Sequence, residues 1–116
     1  MRYLSIWSLS NHFQTKVFPS IKSNKRIKIV SILTNKKKHN FKKKNCYKKK
    51  EKIIAKNDFS YVYISSVNSK HYNYSKLALE KNKNVLCEKP ICLKIDHLYS
   101  LKKIAIKNKK FFFEVI

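Results

Sequence analysis

The sequence predicts an α/β protein, with a parallel sheet whose strands alternate with helices. Short apolar runs rich in β-branched residues recur along the chain, and apolar stripes of helical period lie between them. Strand, helix and strand in repetition form right-handed βαβ units. Strands that are apolar throughout suit a sheet covered on both faces. The 116 residues form one domain, residues 1–116. A chain of this length buries roughly two thirds of its surface on folding.

"YLSIW", residues 3–7, reads as the first strand. In "NHFQTKVFPSIK", residues 11–22, Phe13, Val17 and Ile21 recur every four residues and mark a helix face. Asn11 suits its N-cap, and Pro19 should kink or shorten it. "IKIVSIL", residues 27–33, is a second strand. "KKEKIIAK" adds one short helix before a turn at Asn57 and Asp58. "YVYIS", residues 61–65, is a third strand. In the helix that follows, Tyr74, Leu77 and Ala78 share a face, and Lys70, Lys81 and Lys83 point to solvent. "NVLCE", residues 84–88, is a fourth strand, stopped by Pro90. The next helix carries Ile95, Leu98, Leu101, Ile104 and Ala105 on one stripe. Asp96 near its start and Lys107, Lys109 and Lys110 at its end suit the helix dipole. "FFFEVI" closes the chain as a fifth strand.

The net charge is +22, carried almost wholly by lysine. Such a charge suits a polyanion partner and permits non-specific polyanion binding. It also matches the coding bias of an AT-rich genome, because Lys, Asn, Ile, Phe and Tyr are abundant while glycine is absent. The densest run, "NKKKHNFKKKNCYKKKEK", fits neither a helix face nor a strand face and reads as a solvated, mobile connection. Cys46, Cys87 and Cys92 form no CxxC pair, so no metal site is expected. Cys87 reads as a small buried residue. The cysteine usage suits a reducing, cytoplasmic setting. No apolar stretch is long enough for a membrane span, and the N-terminus lacks a signal peptide's apolar core.

In open parallel sheets, ligands bind at the carboxyl ends of the strands. Four segments fall at that edge: "SLSNHF", "TNKKK", "SSVNSKH" and "EKP". Two of them carry a resemblance. "VYISSVNSKHY" is similar to the "VYIATPNxxHY" that ends the third strand in the Gfo/Idh/MocA oxidoreductases, and Glu88, Lys89 and Pro90 reproduce that family's EKP. The separation of the two motifs also fits. "IWSLSNHFQTKVFPSIK" resembles the family's first βα unit and "FFFEVI" its fifth strand, while residues 35–57 match poorly.

The resemblance implies a Rossmann-like NAD(P)-binding domain with about five strands. The resemblance further implies that it is incomplete, without the C-terminal domain that gives this family its substrate site. A sugar, inositol or related polyol would be oxidised at a CH–OH group only with that second domain, so the chain alone should show no turnover. The resemblance puts Lys89 beside the nicotinamide and substrate as the catalytic lysine. There its ammonium would orient a hydroxyl and stabilise alkoxide character. Glu88 would orient that ammonium, and Pro90 would fix the strand exit. Ser65, Ser66 and Asn68 would line the cofactor cleft, with His71 opening the next helix as a cap or packing residue.

Departures from the family pattern shape the cofactor expectation. The dinucleotide fingerprint needs glycines for a tight turn, for approach to the pyrophosphate and for helix–strand packing. Here those places hold Ser8, Ser10 and Phe13, with Asn11 and His12 between the last two. Binding is therefore expected to be weakened or lost, and Phe13 should push the helix from the sheet. Where a carboxylate would select the NAD ribose, Thr34 and Asn35 precede Lys36, Lys37 and Lys38, which favours NADP over NAD. The alternative is a small basic nucleic-acid-binding protein that uses the Lys-rich segment.

Overall fold

A computed structural model describes residues 1–37, 39, 41–89 and 94–115. The strands are β1 (Arg2–Trp7), β2 (Ile27–Leu33), β3 (Cys46–Tyr47), β4 (Tyr61–Ile64), β5 (Asn84–Glu88) and β6 (Phe112–Val115). The helices are α1 (Phe18–Lys22), α2 (Lys50–Lys56), α3 (Asn68–Glu80) and α4 (Ile95–Asn108). All strands pair in parallel, in the order β3-β2-β1-β4-β5-β6. The sheet thus has six strands where the sequence suggests about five. The additional strand, β3, lies inside the Lys-rich segment. It is only two residues long, so it leaves no apolar run to read.

Alternating side chains send the strands' residues to opposite faces. Trp7, Leu33, Val62, Ile64, Val85 and Cys87 form one core with Ile53 of α2, Ala78 and Leu79 of α3, and Leu101 and Ala105 of α4. Leu4, Ile6, Ile32 and Tyr63 form the other with Leu9 and Phe13, packed by Val17, Phe18 and Ile21. The stripe expected on α4 holds at Leu101 and Ala105 but not at Ile95, which is exposed in the first turn. The buried hydroxyls of Ser5 and Ser31 bond to each other at 2.6 Å, and the Trp7 indole N–H donates to Ser5 Oγ at 3.0 Å.

With no glycine in the chain, left-handed backbone falls to other residues. Ser8, Asn57, Asn82 and Lys109 have φ of 78°, 49°, 63° and 55°. Asn57 ends α2 and Lys109 ends α4, where the chain must reverse out of the helix. Asparagine tolerates this region better than most residues.

The first crossover helix begins at Asn11, but its cap is Ser10, not Asn11. Ser10 Oγ accepts the Phe13 N–H at 2.9 Å, and the Asn11 side chain lies a residue too late to do so. Phe13–Val17 is a π-helical turn, in which the Phe18 N–H reaches the Phe13 carbonyl. Pro19 then falls in the first turn of α1, where a missing N–H costs little. Lys83 is a further correction. It is only 7% exposed, and its ammonium donates to the Phe59 carbonyl at 2.7 Å and to Asn57 Oδ1. Burial pushes its pKa down.

Candidate functional site

The turn after β1 sits at the carboxyl edge of the sheet. Ser8 takes the left-handed conformation that the first fingerprint glycine would supply, and its N–H donates to the Leu33 carbonyl at 2.7 Å. The backbone path of the tight turn is therefore kept, with a Cβ where the pattern has none.

Side chains fill the next part of the turn. The Ser10 N–H donates to Ser65 Oγ at 2.9 Å, and the Ser65 hydroxyl donates back to Ser10 Oγ at 2.6 Å. Ser10 Oγ in turn donates to Glu88 Oε1 at 3.3 Å, while Tyr63 donates to Glu88 Oε2 at 3.0 Å. The ends of β1, β4 and β5 are thus tied by one polar network. Burial, reinforced by the Glu88 carboxylate, holds the Tyr63 hydroxyl protonated well above the ordinary tyrosine range. Glu88 therefore serves these hydroxyls, and among the described residues no ion pair joins it to Lys89. The resemblance expects Glu88 to orient the Lys89 ammonium; here its two oxygens accept from Ser10 and Tyr63.

Phe13, at the third glycine place, is fully buried, with its ring 5.1 Å from Tyr63 and 6.3 Å from Phe18. The ring is accommodated where the helix widens into its π turn. Between α1 and the sheet remains an apolar cleft of about 320 Å³, lined by Leu4, Val17, Ile21, Tyr61, Tyr63 and Leu86 among others.

Beside the turn, the ends of β1, β2 and β4 enclose a polar cleft of about 220 Å³. Ser8, Thr34, Asn35, Ser66, Lys48 and Lys70 line it. It adjoins a cationic pocket of about 460 Å³, with Thr34, Asn35 and Lys48 shared between them. Lys36, Lys37, Lys43 and His39 complete that pocket. The Thr34 N–H donates to the Tyr47 carbonyl at 2.9 Å, so β3 helps to shape the rim. The described residues between 35 and 52 are thus partly built into the fold and not simply a solvated connection. Cys46 lies 3.8 Å from His39 Nε2, and burial pushes its thiol pKa up.

Of the residues singled out in the sequence, Ser8, Thr34, Asn35 and Ser66 meet at the cleft. Ser10, Ser65 and Glu88 meet in the network behind it. Asn11 and His12 are exposed in the first turn of the crossover helix, and Lys89 is exposed after β5. Asn68 begins α3. His71 lies within that helix, almost wholly buried, with Nε2 2.8 Å from the Ser66 carbonyl. Pro90, Cys92 and Lys38 fall outside the described residues. Sequence reasoning missed Tyr63, Lys48 and Lys70. Tyr63 could have been found from strand alternation, since it points opposite to Val62 and Ile64. The two lysines carry no distinguishing signal among so many others. Among the described residues, no cluster of His, Cys, Asp or Glu could hold a metal ion, and no helix is long and apolar enough to cross a membrane.

The strand order places β1 between β2 and β4, where successive crossovers run in opposite directions. A polar cleft at that switch point defines a doubly wound, Rossmann-type nucleotide-binding fold. Residues 7–115 match the sequence model of the Gfo/Idh/MocA oxidoreductase family, NAD-binding Rossmann fold. The chain belongs to this family and corresponds to its NAD-binding domain. No curated protein sequence matches it.

Solved structures share the fold. A biliverdin reductase from Synechocystis sp. PCC 6803, in complex with biliverdin and NADP+, superposes with a TM-score of 0.81 at 18% identity, covering 97% of this chain and 37% of that one. An oxidoreductase from Bacillus cereus gives 0.84 at 15% identity, covering 98% and 34%. An NAD-binding protein from Listeria innocua gives 0.80 at 20% identity, covering 97% and 34%. The chain therefore spans about a third of the length of these proteins.

Proposed function

We propose that the chain binds a dinucleotide across the carboxyl ends of β1, β2 and β4, with NADP preferred over NAD. The observation that carries this is a trench of two adjoining clefts, lined from Ser8 to Lys36 and Lys37 and sharing Thr34, Asn35 and Lys48, which has lysine where an NAD site has a carboxylate. In this reading Thr34, Asn35, Lys36 and Lys37 take the adenosine end, and the ammonium groups of Lys36 and Lys37 meet a 2′-phosphate. The NADP+ complex of the Synechocystis reductase, alike in fold, is consistent with it. The turn after β1 fits the cofactor less well than the trench does. The Ser10 and Phe13 amides are already bonded to hydroxyls, and the Phe13 side chain fills the third glycine place.

Within a complete oxidoreductase, Lys89 is the proposed catalytic residue beside the nicotinamide. The substrate, a sugar, inositol or related polyol, would be oxidised at a CH–OH group and held by groups beyond this domain. The bound nicotinamide supplies hydride chemistry. Lys89 supplies a cation that steadies the reacting oxygen. The free thiols of Cys46 and Cys87 suit a reducing cytoplasm.

Calorimetric titration with NADP+ and NAD+ at one ionic strength tests this reading. Tighter binding of NADP+ supports it. Equal affinity, or a preference for NAD+, refutes the role of the lysines. No binding of either refutes the dinucleotide site itself.

A further inference from the structure

Two amides of the turn after β1 are already engaged by side chains. The Ser10 amide is bonded to Ser65 Oγ and the Phe13 amide to Ser10 Oγ. The Glu88 carboxylate lies 3.3 Å from Ser10 Oγ and would repel a diphosphate placed there. The neighbouring cleft has the opposite character. Lys48, just after β3, and Lys70, in the first turn of α3, line it with Ser8 and Ser66. The Lys70 ammonium lies 5.9 Å from the centre of the Tyr74 ring, and Tyr74 lines the same cleft. Neither lysine has a carboxylate partner among the described residues.

We propose that this chain holds the diphosphate of its dinucleotide with the ammonium groups of Lys48 and Lys70, in place of the amides of the turn. The inference rests on the dinucleotide reading above and adds a different seat for the charge. A glycine-rich turn binds phosphate with backbone N–H groups aimed by a close, side-chain-free approach. Here side-chain hydroxyls occupy the Ser10 and Phe13 amides, and point charges from outside the turn take over their part. Lysine serves as such a point charge without demanding bidentate geometry. Ser8 and Ser66 line the same cleft, where their hydroxyls would meet the bridging region of a diphosphate.

The test is a comparison of two double variants with the same loss of charge. K48M/K70M removes the proposed pair, and K102M/K103M removes two exposed lysines of α4 as a control for general attraction. Calorimetry with inorganic pyrophosphate and with NADP+ is run at about 0.15 M salt. K48M/K70M should weaken both ligands by about tenfold or more, as expected for loss of charge-assisted hydrogen bonds, and the control by less than about threefold. All four changed side chains are exposed, and circular dichroism checks that both proteins fold.

Equal losses in the two variants would overturn the proposal. So would an affinity gain of about tenfold in S65A, which would show the freed turn amide to be the better seat. NADP+ binding that ignores Lys48 and Lys70 would sink the proposal and leave the dinucleotide reading standing. Pyrophosphate binding that depends on the pair, with no NADP+ binding, would refute the dinucleotide reading and with it the proposal, leaving a bare anion site at the two lysines. If neither ligand binds the unmodified chain, both fall.

Discussion

The Ser65 hydroxyl lies 2.6 Å from Ser10 Oγ and accepts the Ser10 N–H at 2.9 Å, so the end of β4 locks the turn after β1. Ser65 is buried. Ser65→Ala would remove both bonds and leave the Ser10 amide without its partner. The expected loss of stability is about 1–2 kcal/mol. Urea unfolding read by tryptophan fluorescence measures it, because Trp7 is buried at the end of β1, just before the turn that Ser65 holds. A change within error would mean that the pair is not formed in solution.

Ser8 carries a Cβ at φ 78°. Ser8→Gly should raise stability by about 0.5–1 kcal/mol, since relief of left-handed strain exceeds the added entropy of the unfolded chain. Ser8→Val should lower stability. The denaturation midpoints should move in opposite directions, and a Val variant as stable as the parent would contradict the left-handed assignment.

Phe13 is buried against Tyr63 and Phe18. Phe13→Ala would restore the small residue of the family pattern and leave a cavity beside the existing cleft under α1. The expected cost is about 3–5 kcal/mol. The thermal midpoint should fall steeply even if dinucleotide affinity improves.

Tyr63 is held neutral in the folded chain by burial and by Glu88, so its folded pKa is raised. A raised pKa contributes stability that is complete below the unfolded value of about 10 and is lost as pH climbs above it. The stability difference between the parent and Tyr63→Phe should therefore be constant below about pH 9 and shrink above about pH 10. Urea midpoints for the pair across that range check this. A difference independent of pH would place Tyr63 in water.

Much of this fold is legible in the sequence because its strands are apolar and β-branched over four to seven residues. β3 is hidden by its length, and only the pairing of Ile32 with Cys46 and Leu33 with Tyr47 reveals it. Ser8 could be placed at the phosphate turn by its position after β1, and its left-handed backbone follows from that place. The lock on the turn could not be read. Ser10 is separated from Ser65 by 55 residues and from Glu88 by 78, and serine forms the same bonds with water in any loop. Lys83 was hidden for a similar reason. One lysine among many shows no sign of burial until Asn57 and the Phe59 carbonyl are seen around it.

The proposed dinucleotide lies in the trench between the ends of β1, β2 and β4. The most direct measurement is an NMR titration of the 15N-labelled chain with NADP+. Binding in the trench predicts saturable shifts at the amides of Ser8, Thr34, Asn35, Lys48 and Ser66, with those of α4 little changed. Shifts spread over the lysine-rich surface without saturation, or confined to α4 and β6, would contradict it.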